Sequence, residues 1–158
     1  MPTSAALLIA ADSPLREDVT ALLDEHLRDM YATSPPESVH ALDAGALTGD
    51  GIVFVTARAA DGTLLGCGAL KDVAPGHGEL KSMRTAAAAR GRGIASAVLE
   101  HLTGLAAERG HRRLSLETGA EDYFAAARRL YARHGFTACP PFGDYRDDPN
   151  SVFLTRAL

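Results

Sequence analysis

Tryptophan is absent and cysteine nearly so, with two thiols in 158 residues. Cys67 and Cys139 show no CxxC spacing and belong to no Cys/His cluster, which argues against a disulfide scaffold and a zinc site. His26, His77, His101, His111 and His134 lack metal-ligand spacing, so no metal is expected. No hydrophobic run approaches the length of a membrane span, and residues 1–11 lack the basic leader of a signal peptide. With both thiols expected to stay reduced, the chain reads as cytoplasmic. Excess charge is scarce too. The 16 basic residues stand against 20 acidic ones, a net charge of -4 that speaks against nucleic acid as a partner. Two phosphate-binding signatures are also missing. No Lys-Ser or Lys-Thr follows the glycines at 91 and 93, which excludes the GxxxxGK(S/T) loop. Ser96 stands where GxGxxG needs its third glycine.

What is present is the run Ala89-Arg90-Gly91-Arg92-Gly93-Ile94-Ala95, between a predicted strand (79–85) and an amphipathic helix opening near Gly93. Two glycines without Cβ atoms let backbone N–H groups point one way toward a close ligand. A helix N-terminus adds unsatisfied donors and a partial positive charge. Arg90 and Arg92 add full charges with forked donors. Together these features converge on a phosphate, with a pyrophosphate the best match. The plainer alternative is a solvated turn before an ordinary helix. Arginines gather around this loop and along residues 109–133. Acidic residues elsewhere suit a cationic, amine-bearing substrate or form a solvated face.

Length and composition, 46% hydrophobic and 23% charged, fit one soluble domain over residues 1–158. Residues 5–11 form an apolar run read as a first strand. Asp12 or Ser13 caps a helix with Pro14 at its first position and Leu15, Val19, Leu22, Leu23 and Leu27 at helical spacing. It ends near Tyr31, because Ser34-Pro35-Pro36 cannot continue it. Residues 37–47 suggest a second, shorter helix. Strands at 52–59, 64–73 and 79–85 make an antiparallel meander, with Asp61-Gly62 as a hairpin turn. A helix from about Gly93 buries Ile94, Ala97, Val98, Leu102 and Leu105, and a strand covers 113–118. A helix over 121–134 ends at Gly135, its C-cap. Closing strands at 136–139 and 151–155 flank a Pro/Gly/Asp-rich loop, 140–150. The order gives an α/β fold that leans to α+β, a mixed sheet with helices on both faces.

With this order in place, the chain resembles the GNAT superfamily of acyl-CoA-dependent N-acetyltransferases. Arg90-x-x-Gly93-x-Ala95 matches that family's Q/R-x-x-G-x-G/A signature between a strand and a helix. Leu130-Tyr131-Ala132-Arg133-His134-Gly135-Phe136 is similar to its LYxxxGF segment, and Glu79 opens the strand before the loop. The resemblance covers about residues 51–158 well, and the first third only in its strand-helix-helix order. Residues 34–42, Leu116-Glu117-Thr118-Gly119 and Pro141-Phe142-Gly143-Asp144-Tyr145 also resemble a bacterial subgroup of small acetyltransferases. This resemblance implies a mostly antiparallel central sheet and acetyl-CoA as co-substrate, without a metal. It implies acetyl transfer to a primary amine, on a small molecule or less readily a peptide, by direct attack in a ternary complex. A homodimer is a family-level expectation; a nucleic-acid or membrane partner is not expected.

By the same resemblance, Gly91, Arg92, Gly93, Ile94 and Ala95 offer backbone N–H groups to the coenzyme A pyrophosphate, and Arg90 and Arg92 pair with phosphates. Met83, Arg84 and Thr85 lie along the pantetheine arm as if it were an added strand. Tyr131 matches the family's general acid, and a phenol with an ordinary pKa of ~10 keeps its proton near pH 7. On periodicity alone it is equally a packed aromatic. Glu79 is read as the general base, acting directly or through water, with burial raising its pKa. Its plainer alternative is an exposed carboxylate at a strand start. Glu117 competes for that role, contacts substrate, or pairs with an arginine such as Arg84. A backbone N–H near Met83 meets the oxyanion. Phe124 stands where many members carry an asparagine, so its contact with the coenzyme arm would be apolar. His40, Ser38 and Tyr145 are candidate acceptor contacts, although a lone histidine such as His40 more often serves structure. Cys67 and Cys139 match no nucleophile motif. The rival reading is an acyl-CoA-binding sensor without turnover, which the presence of Tyr131 disfavours. An unrelated phosphate-ligand domain requires the LYxxxGF match to be chance.

Overall fold

A computed structural model describes residues 6–158. The strands are β1 (Leu7–Ala11), β2 (Ile52–Ala59), β3 (Leu64–Ala74), β4 (His77–Thr85), β5 (Arg113–Gly119), β6 (Thr137–Ala138) and β7 (Ser151–Ala157). They make one sheet in the order β1-β2-β3-β4-β5-β7-β6. All neighbours pair antiparallel except β4 and β5, which run parallel. This is the expected mixed, mostly antiparallel sheet. Ala5, the first residue of the predicted opening strand, lies outside the described residues.

Strand alternation sends apolar side chains to both faces. Phe54 of β2 packs on one face with Cys67, Ala69, Leu47 and the Val19, Leu22 and Leu23 side chains of α1 (Glu17–Thr33). Val55 and Ala57 point the other way, into a larger core. There they meet Val98, Leu99, Leu102 and Ala106 of α2 (Ile94–Glu108) and Tyr131 of α3 (Ala125–Arg133). Helices therefore cover both faces. The close approach of α2 to β3 needs glycine at 68. A Cβ there would stand 2.6 Å from Met83 Sδ and 2.9 Å from both Leu102 and Val98.

The helices depart from the sequence pattern at their starts. α1 begins at Glu17 without a side-chain cap, instead of at Asp12 or Ser13. The Asp12 carboxylate is drawn to Thr56 Oγ1 at 2.8 Å and Arg58 Nε at 3.2 Å, and Leu15 stays exposed. A missing cap costs about 1 kcal/mol, whereas burying Val19, Leu22 and Leu23 contributes roughly 1.5–3 kcal/mol each, so the helix forms regardless. Residues 37–47 make no second helix. Two single 3-10 turns, Pro36–Ser38 and Ala46–Thr48, stand there with irregular chain between them. Ser38 donates to Asp148 Oδ2 at 2.6 Å, His40 packs against the Tyr145 ring, and Leu47 is buried. A short isolated helix is too marginal to compete with those contacts. α3 starts at Ala125, after a 3-10 turn over Asp122–Phe124. That turn seats the Phe124 ring over Gly119, where any Cβ would overlap it.

β4 and β5 pair only through His77–Glu79 and Arg113–Ser115, and beyond these residues they separate. A bulge lies in the separated part of β4. Cys67 pairs with Arg84 and Ala69 with Lys81, so Ser82 and Met83 together face Gly68, with Ser82 at φ 56°. Such a bulge bends the strand and drops backbone groups out of the ladder. A cleft of about 590 Å³ opens between the two strands. No helix among the described residues is long and apolar enough to cross a membrane.

Candidate active site

At one end of the cleft the chain leaves β4 through a single turn, Ala87–Ala89, and reaches the arginine-glycine loop. Gly91 and Gly93 have φ of 75° and 79°, a region that costs residues with side chains roughly 1–2 kcal/mol. No atom lies within 4 Å of where a Cβ would sit on either glycine, so the space above both is open. Gly93 is the left-handed N-cap of α2, and the Ala97 N–H closes back on its carbonyl at 3.1 Å. The N–H groups just before Ala97 have no intrahelical acceptor. Arg90, Gly91, Gly93, Ile94 and Ala95 line the cleft, while Arg92 is exposed outside it.

Tyr131 reaches the cleft from α3. Its side chain is 6% exposed and packs edge-on against Phe136, and burial pushes the phenol pKa well above its ordinary value. It therefore keeps its proton at neutral pH. It is a packed aromatic that also lines the cleft. Glu117 on β5 faces the same cleft. Burial pushes its carboxyl up to about 7, although the Ser151 hydroxyl donates to Oε2 at 2.7 Å and Lys81 stands nearby.

Glu79, by contrast, is 3% exposed and tied down. Its Oε2 accepts from the Tyr145 hydroxyl and from Lys81 Nζ at 3.3 Å, and Lys81 also donates to Tyr145 Oη at 2.8 Å. Arg84 does not pair with Glu117. Its guanidinium crosses to α1, where Nη2 meets Glu25 Oε1 at 2.5 Å and Asp29 Oδ2 at 2.6 Å. Its Nη1 donates to the Tyr123 hydroxyl at 3.2 Å. Met83, Thr85 and Phe124 line the cleft, as do Ser38 and His40. Tyr145 stands behind Glu79 and Lys81, away from the cleft wall, packed among Phe142, Phe153 and His40.

Three residues in or just behind the cleft escaped the sequence reading. Lys81 follows Glu79 by two, the period that puts both on one strand face, so a signal existed. His26 continues the inner stripe of α1 after Leu22 and Leu23. It is buried, and desolvation together with the Arg84 charge pushes its imidazole down to about 4. Its Nδ1 has no hydrogen-bond partner. Ser151 carried no local signal; only the β5–β7 pairing brings it to Glu117.

The profile of the acetyltransferase (GNAT) family matches residues 19–136. The chain belongs to the GNAT family. As a GNAT enzyme it is an acyltransferase. It is 49% identical over 150 residues to YsnE, an uncharacterised N-acetyltransferase of Bacillus subtilis, covering 95% of this chain and 99% of that one. It is 41% identical over 154 residues to the IAA acetyltransferase of Azospirillum brasilense, covering 95% and 97%. A proposed acyl-CoA N-acyltransferase of Klebsiella pneumoniae superposes with a TM-score of 0.77 at 26% identity, covering 98% and 99%. GNAT enzymes use acetyl-CoA. The residues of this cleft fit it. Open space over Gly91 and Gly93 beside free helix N–H groups suits a pyrophosphate. The unpaired edge of β4 beyond Glu79 suits an extended amide chain.

Proposed function

We propose that this GNAT enzyme moves the acetyl group of acetyl-CoA to a primary amine on a small molecule. The attack is direct, within a ternary complex, with Glu117 as general base and Tyr131 as general acid. The observation that carries the reading is one cleft holding both a carboxyl poised near neutrality, at about 7, and a phenol kept protonated. An amine arrives as an ammonium and must lose a proton before it attacks. Ionised Glu117 takes that proton, directly or through water. Acetyl-CoA supplies a thioester carbonyl to which the C–N bond forms as the C–S bond breaks. Tyr131 passes its proton to the departing thiolate and regains one from the acylated nitrogen, which sheds its extra proton, and the bulged backbone at Ser82 and Met83 offers an N–H to the carbonyl oxygen.

Other residues hold the partners. The 91–95 backbone and Arg90 take the pyrophosphate, Phe124 packs beside the arm, and Ser38 and His40 border the acceptor. Glu79 is a holding group in this scheme, because two donors converge on one of its oxygens. An acyl-enzyme has no support. Cys67 is 1% exposed, burial pushes its thiol up to about 12, and it donates to Ser82 O at 3.3 Å.

The test is thermal stabilisation by acetyl-CoA, followed by free-thiol release with a panel of amines. Stabilisation with release is expected. In Y131F, turnover should fall by roughly 10²–10⁴ while acetyl-CoA affinity stays within a few-fold. No stabilisation removes the cofactor assignment, and stabilisation without release from any amine makes the chain an acyl-CoA sensor.

A further inference from the structure

The acceptor end of the cleft is bounded by α1, by residues 34–41 and by the separated parts of β4 and β5. Two cations reach it, and both are engaged. Lys81 Nζ is bonded to Glu79 and to Tyr145 Oη at 2.8 Å, and its side chain is 9% exposed. The Arg84 Nη atoms are taken by Glu25, Asp29 and the Tyr123 hydroxyl, while its Nε is buried without a hydrogen-bond partner. His26 and His40 also line this end. Burial lowers the pKa of both, so neither carries charge at neutral pH. Glu117 has a hydroxyl partner, Ser151, in place of a cation. Carboxyl groups outnumber these two cations: Glu25, Asp29 and Glu79 are bonded to them, Asp148 and Glu121 accept from the cleft residues Ser38 and Ser34, and Glu117 ionises at about 7.

A substrate carboxylate brought here stands beside Glu79 and Glu117 in a partly dry cleft. Both cations there already hold carboxylates, so the added charge meets net negative surroundings, with the buried Arg84 Nε left as an unpartnered donor. A substrate ammonium corrects the imbalance instead. We infer that the acceptor is an amine with no carboxylate beside its amino group, and that Glu79 enforces this by holding Lys81. The inference rests on the acetyl-transfer reading and adds the substrate class that the cleft refuses. Glu79 acts here through Lys81, as a specificity residue that touches no reacting atom.

Matched pairs that differ only by a carboxylate test it: 2-phenylethylamine with phenylalanine, tyramine with tyrosine, and histamine with histidine. Thiol release gives kcat/KM for each member. The wild-type enzyme should prefer the amine by at least about tenfold in the pairs it uses. E79Q releases the Lys81 ammonium and should narrow that ratio by at least about fivefold, whereas K81M should not narrow it. Amino acids used as well as their amines by the wild type overturn the inference alone, because thiol release then still upholds acetyl transfer. An unchanged ratio in a folded E79Q overturns the role of Glu79. If E79Q does not fold, the wild-type ratio decides. Acetyl-CoA stabilisation with no thiol release from any member overturns the transfer reading, and the inference with it.

Discussion

Burial shifts Glu117 and Tyr131 in the same direction, but with different chemical consequences. A carboxyl raised to about 7 becomes a base matched to neutral pH, while a raised phenol becomes a firmer keeper of its proton. In the proposed reaction Glu117 must be ionised to accept the ammonium proton, so kcat/KM should rise with pH through about 7 and level off above it. The Ser151 hydroxyl donates to this carboxyl and so favours its anion. In S151A the pKa goes up, and the rise in a pH–rate profile should move to higher pH by about one unit, part of one hydrogen bond to a charged group. A profile that stays in place would free Glu117 from the base role. Tyr131 was legible because it sits in a local segment of recognisable spacing. The balance between Glu79 and Glu117 was not, since it depends on Tyr145 and Ser151, 66 and 34 residues away in the chain.

At the level of elements, the cleft exists because β4 and β5 stop pairing after three residues each. The Ser82–Met83 bulge faces Gly68, and α2 rests on that same glycine through Val98 and Leu102. G68A should overpack this junction and destabilise the protein by about 1–3 kcal/mol, a drop in Tm of several degrees by thermal denaturation. An unchanged Tm would mean that α2 retreats freely. Periodicity found the meander and α2, because long apolar patterns outlast local noise. It misplaced the start of α1 and drew a helix over 37–47. Asp12 carries good local capping chemistry, yet it spends it on Arg58, and Ser38 bonds Asp148 across the fold. The start of α3 moved for a similar reason, the seat that Gly119 gives to Phe124.

For the whole molecule, a single open cleft lined from α1, β4, β5, α2 and α3 suits simultaneous binding of donor and acceptor. Initial-rate plots against both substrates should therefore give intersecting lines; parallel lines would require the acyl-enzyme that buried Cys67 is unsuited to form. The sequence alone determined the run of strands, the helices α1, α2 and α3, the arginine-glycine loop before α2 and the place of Tyr131 on α3, since each rests on neighbours in the chain: glycines before a helix, apolar period, a short motif. Only the tertiary structure decided which carboxylate is poised near neutrality, where Arg84 points and how charge balances at the acceptor end. Those properties come from burial and from partners tens of residues apart, such as Ser151 at Glu117 and Glu25 at Arg84, and no local string encodes the dielectric around a side chain.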